Sequence, residues 1–100
     1  MAELIHHHSA IVRGTNGKRY RASIYGERRV DGTWWGWIEF EPSDRAGDAT
    51  RLRTNQETSQ PDRGAVEYWA GGLEPIYLEG ALQRAQRRPL TTSGLRTLGR

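Results

Sequence analysis

The sequence predicts an α+β domain: a small antiparallel sheet of about 4–5 strands, centred on a β-hairpin over residues 19–41, with one main helix over about residues 60–71 packed on one face. Three observations carry this reading. Residues 19–30 and 33–41 are rich in aromatic and β-branched side chains, alternate in character and flank Asp31-Gly32. Ala65, Val66, Trp69, Ala70 and Leu73 recur at helical spacing. Turn-forming residues punctuate the chain between these segments.

Taken in order, residues 9–13 read as a short strand, preceded by a mobile N-terminal stretch that holds His6, His7 and His8. Gly14-Thr15-Asn16-Gly17 is a turn, because Asn-Gly tolerates positive φ. The hairpin register follows from asking which loop makes the apolar sets face each other. A two-residue loop at Asp31-Gly32 sets Ile24 against Glu39 and mixes the faces. A three-residue loop, Val30-Asp31-Gly32 with Gly32 left-handed, pairs Arg29 with Thr33. It then pairs Ile24 with Ile38, Ala22 with Phe40 and Gly26 with Gly36 on one face. On the other face Tyr25 meets Trp37, Glu27 meets Trp35 and Arg21 meets Glu41.

Residues 42–49 form a polar loop, and residues 50–54 a short strand with Leu52 inward. The helix starts with Ser59 as N-cap, Pro61 in the first turn and Asp62 completing a box-like pair, and it ends at Gly71-Gly72. Residues 74–83 have two readings. Pro75 could open a helix whose face is Leu78, Ala81, Leu82 and Ala85; the Ile76-Tyr77-Leu78 run and Gly80 favour a strand. Residues 1–83 thus form a single domain, and residues 84–100 a basic C-terminal tail.

Composition bounds the function. One hundred residues suffice for one domain, and a mean hydropathy of −0.83 implies a modest core. No apolar run approaches the roughly 20 residues that span a bilayer. Residues 1–12 have no basic stretch followed by a long apolar one, so no secretory signal is expected. The absence of cysteine fits a reducing, cytoplasmic setting. The pI of 9.8 describes the tail: residues 81–100 hold five arginines and no acid, whereas residues 1–80 hold ten basic and twelve acidic residues. A basic tail suits nucleic acid or an acidic protein surface, and otherwise is a solvated segment.

Catalytic chemistry finds no support. The three histidines are consecutive and converge poorly on one ion, so no metal or cofactor is expected. No phosphate-binding glycine motif or nucleophile elbow is present. Glu39 and Glu41 sit two apart beside Trp35 and Trp37, but Arg21 opposes Glu41 and a chain this short has little room for a substrate cleft.

The aromatic face of the hairpin is the leading candidate for binding, with Tyr25, Trp35, Trp37 and Glu39 as its contact residues. Its three glutamates favour a protein partner, or a second copy, over stacked bases. The same face could instead be a second core layer. Replacing Trp37 with alanine would separate the two, reducing association with the fold intact in the first case. A second function class is a nucleic-acid-binding accessory protein, with Arg84, Arg87, Arg88, Arg96 and Arg100 on phosphates or on an acidic partner. Arg51, Arg53 and Asn55, leading into a helix start, form a possible anion site.

The order of the elements over residues 20–72, with Trp34–Phe40 followed by residues 58–70, resembles the partial ribonuclease-H-like domain of HicB-type antitoxins. The Gly-Asp-Thr helix entry common there is replaced here by Glu57-Thr58-Ser59-Gln60. The resemblance implies a regulatory subunit whose C-terminal segment orders on a partner.

Overall fold

The hairpin forms in the register that its alternation demands. In a computed structural model, which describes residues 1–43 and 51–87, strand β1 (Glu3–Arg13) pairs antiparallel with β2 (Arg19–Arg28), and β2 with β3 (Trp34–Pro42). Ile24 faces Ile38, Ala22 faces Phe40, Tyr25 faces Trp37 and Gly26 faces Gly36. The loop closes with the Arg29 amide donating to the Thr33 carbonyl at 2.7 Å, and Gly32 takes φ 91°, which glycine adopts without steric cost. Thr33 donates from its amide (2.9 Å) and its hydroxyl (2.7 Å) to Asp31 Oδ1. These two bonds hold the Asp31 carboxyl below the usual carboxylate range.

β4 (Leu52–Arg53) and β5 (Thr58–Gln60) both pair with β3 and complete a sheet of order β1-β2-β3-β4, with β5 beside β3. Thr54 extends β4. Its buried hydroxyl accepts from the Ile38 amide at 3.1 Å and donates to the Asn55 carbonyl at 2.8 Å. Helices α1 (Arg63–Gly71) and α2 (Pro75–Gln86) lie on one face of this sheet. Ile24, Ile38 and Phe40 from the sheet meet Val66 and Ala70 of α1 and Leu78, Ala81, Leu82 and Ala85 of α2 in one core. Gly36 of the Gly26/Gly36 pair is the notch at which α1 approaches the sheet, while Ile5 of β1 packs over Gly26. A Cβ on Gly36 would lie 2.9 Å from Thr58 Cγ2 and 3.2 Å from Val66 Cγ1.

Four expectations are corrected. Residues 74–83 are helical, not extended, because the 78/81/82/85 face is buried whole, and that burial outweighs the β-propensity of three residues. The sheet therefore carries two helices. The N-terminal stretch is part of an eleven-residue strand, with Ile5 and Val12 buried. Its pairing shifts register between Leu4 and His6 and again between His7 and Ile11. From His6 to Val12 the side chains nonetheless alternate between the two faces. Ser59 is not a helix cap. It lies in β5, opposite Trp35. Asp62 is the N-cap, with Oδ1 accepting from the Ala65 amide at 2.8 Å. Asp62→Ala is therefore expected to cost about 1 kcal/mol in urea denaturation, and Ser59→Ala close to nothing. Equal midpoints for the two variants would contradict this cap. Finally, Arg84 belongs to α2 rather than to a tail.

A candidate interaction face on the open side of the sheet

Because both helices occupy one side, the other side of the sheet has no covering layer among the described residues. Strand alternation places Tyr25 of β2 and Trp35, Trp37 and Glu39 of β3 on this open side, as expected. These residues are interlocked. Tyr25 and Trp37 stack with ring centroids 6.3 Å apart and planes 15° from parallel. The Arg53 guanidinium lies 4.6 Å from the Trp37 ring centroid, on the ring face, and Trp37 Nε1 donates to Glu39 Oε2 at 3.1 Å. Trp37 is consequently only 6% exposed. Trp35 is 36% exposed, with the Arg29 guanidinium 4.0 Å above its ring.

Arg51 ties the acidic end of the face together. Its Nη2 is 3.1 Å from Glu41 Oε1 and 3.9 Å from Glu39 Oε1. Burial works against the Arg51 charge, but a hydrogen bond with Tyr25 and the two carboxylates outweigh it and push its pKa above the ordinary arginine value. Arg21 pairs with Glu41 in register, yet the ion pair of Glu41 is with Arg51. Glu39 and Glu41 are thus engaged in holding the face.

Other expected site residues are dispersed. Arg51 and Arg53 lie on the open face, while Asn55 lines a separate cleft of about 200 Å3 with Thr54, Glu57, Arg84 and Arg87. In that cleft Glu57 Oε1 accepts from Tyr77 Oη at 2.5 Å and from Arg84 Nη2 at 2.6 Å. Burial and the bond to Glu57 push the Tyr77 phenol up to about 12, so it remains a neutral donor. Arg84 is thereby committed to an internal ion pair, and Arg87 caps α2. Arg88, Arg96 and Arg100 lie outside the described residues.

His6 and His8 lie together, ring centroids 6.1 Å apart and edge to face, and His7 points away from them. His7 Nδ1 is 2.9 Å from Ser23 Oγ on the open side. His8 receives the Ala10 amide on Nδ1 at 3.1 Å, so it is Nε2–H that donates to the Leu73 carbonyl at 2.8 Å. No cluster of three or more metal-ligating side chains occurs among the described residues. No helix among them is long and apolar enough to cross a membrane.

The sequence reading missed four contributors to the face: Arg29, Arg53, Leu4 and Ile11. Leu4 (42% exposed) and Ile11 (45% exposed) pair with Tyr25 and Arg21 and extend the apolar surface onto β1. Arg29 was legible, since it borders the loop beside Trp35. Arg53 depends on the pairing of Glu39 with β4 across the 42–51 connection, which no local pattern reveals. Compared with protein-family models, curated proteins and solved structures, the chain gives no significant match.

Proposed function

We propose that the chain is a small, non-catalytic interaction module that binds a protein partner, or a second copy of itself, through the open sheet face. The observation that carries this reading is the uncovered surface itself: Trp35, Leu4 and Ile11 exposed around a rigid layer of stacked Tyr25 and Trp37. Interfaces favour aromatic and arginine side chains held in place before binding, because little side-chain entropy is then lost on association. Arg51 is engaged by two carboxylates and Arg53 by Trp37, while Arg13, Arg19 and Arg21 on the same side are exposed and form no ion pair among the described residues. The glutamates of the face, Glu27, Glu39 and Glu41, favour a protein surface over a nucleic-acid backbone. The basic residues of 84–100 supply a second contact, with Arg84 withheld by Glu57.

Trp35 is the residue to test, because its exposure separates binding from folding. Trp35→Ala is expected to leave the melting transition nearly in place. It should weaken association by about ten-fold or more, since a tryptophan anchor typically contributes 2 kcal/mol or more. Self-association is read by analytical ultracentrifugation, and partner retention by pull-down with and without nuclease. Release of the retained material by nuclease, or retention unaffected by Trp35→Ala, would count against the reading.

A further inference from the structure

A second surface lies on the far side of the molecule, where α1 turns into α2. Gly72, Leu73, Glu74, Ile76 and Tyr77 line an apolar groove of about 480 Å3. Ile76 is 75% exposed, and Tyr68, one turn before Gly72, is 87% exposed. Apolar side chains this exposed are unremarkable singly, but Ile76 lies with Leu73 and Tyr77 in one groove.

The groove is built rather than loose. Tyr77 forms one wall, its hydroxyl held by Glu57 at 2.5 Å and its ring 6.4 Å from Trp69, edge to face. The connection between the helices is pinned from below, where His8 Nε2 donates to the Leu73 carbonyl at 2.8 Å. A site ordered in advance binds without the cost of ordering its own walls.

The charge around it has one sign. Glu67, Glu74 and Glu79 are exposed and form no ion pair among the described residues. Glu74 lines the groove, and Glu79 follows Ile76 by three residues, on the same side of α2. The arginines of the two helices are neutralised elsewhere: Arg63 by Glu3 at 3.0 Å and Arg84 by Glu57 at 2.6 Å. Two unpaired carboxylates beside an apolar groove, Glu74 and Glu79, repel phosphate-bearing polymers and anionic lipid. With the groove they complement a cationic segment that also carries branched apolar side chains.

We propose that the α1–α2 groove docks a basic, leucine-bearing segment of a protein partner, with the leucines between Leu73, Ile76 and Tyr77 and the cations on Glu74 and Glu79. The site is distinct from the sheet face and stands or falls apart from it. With both surfaces the chain becomes a two-sided adaptor.

The test uses the full chain and a fluorescein-labelled synthetic peptide with leucines at i, i+3 and i+7 and arginines between them. A control peptide keeps the leucines and replaces arginine with glutamate. Fluorescence anisotropy should show binding of the arginine peptide and none of the control. Ile76→Asp, whose side chain projects into solvent, and Glu74→Lys/Glu79→Lys should each weaken binding by about ten-fold or more. Trp35→Ala should leave it unchanged. Equal binding of the two peptides, wild-type affinity in Ile76→Asp, or loss of binding in Trp35→Ala alone would each overturn the proposal.

Discussion

Replacing Phe40 with alanine is expected to destabilise the domain by about 3–5 kcal/mol, the usual range for removing a fully buried aromatic ring. Phe40 has no exposed surface and sits in β3, the strand that pairs with β2, β4 and β5. Ala22 and Leu52 flank it across the two ladders, and it belongs to the core that the helices close. Alanine at Ala22 leaves no large neighbour on that side to refill the space, so relaxation into the cavity is limited. Domains of this size are typically stable by only about 5–15 kcal/mol. The loss should lower the melting temperature by more than roughly 12 °C, given a shift of about 4–8 °C per kcal/mol. Urea denaturation with an unchanged slope measures it, and a cost below about 1 kcal/mol would mean that Phe40 is not a core residue.

Trp37→Ala is expected to cost about 2–4 kcal/mol although Trp37 lies on the uncovered face. The value is set slightly below that for core tryptophans, because solvent can reach the space left behind. Three neighbours lose their partner at once: the stacked Tyr25 ring, the Arg53 guanidinium and the Glu39 carboxylate that accepts from Nε1. Trp37→Phe should recover the stack but not the hydrogen bond, and so should fall between wild type and alanine. The expectation that this substitution would leave the fold intact is thereby revised, and Trp35 becomes the probe of binding. The two tryptophans differ by one strand repeat in sequence and by their coverage in space: 6% against 36% exposed. If Trp37→Ala melts with wild-type stability, the stacked layer contributes nothing to the fold.

Legibility in the sequence followed the range of the interactions. The 29–33 loop and every hairpin pair were readable, because period-two alternation on both strands and a glycine able to take positive φ leave one consistent register. The end of α1 at Gly71-Gly72 was readable for the same local reason. Its start was not: Ser59 was read as the cap and Asp62 as its partner in the first turn, but the pairing of β5 with β3 takes Ser59 out of the helix and leaves Asp62 as the cap. For 75–86 the helical face was visible, but the choice between helix and strand hinged on whether a second layer buried that face. That is a tertiary fact. At the site, shared strand parity brought Tyr25, Trp35, Trp37 and Glu39 together on one side. What the alternation could not convey was the arginine covering Trp37, because Arg53 arrives from another strand and its approach depends on side-chain reach.

The broken register of β1 has a bearing on how copies of this chain could meet. An eleven-residue outer strand with a straight ladder would be a template for endless recruitment of further strands. Here Leu4 and Ile11 point to the open side, while Ile5 and Val12 point to the core, and two slips in phase separate the pairs. A neighbouring β1 laid against it cannot match both sets along its length. Growth by strand addition therefore stalls at this border. Self-association through the open face, as proposed above, would then use a broad face, which closes on itself, and not a fibre-forming border, which does not.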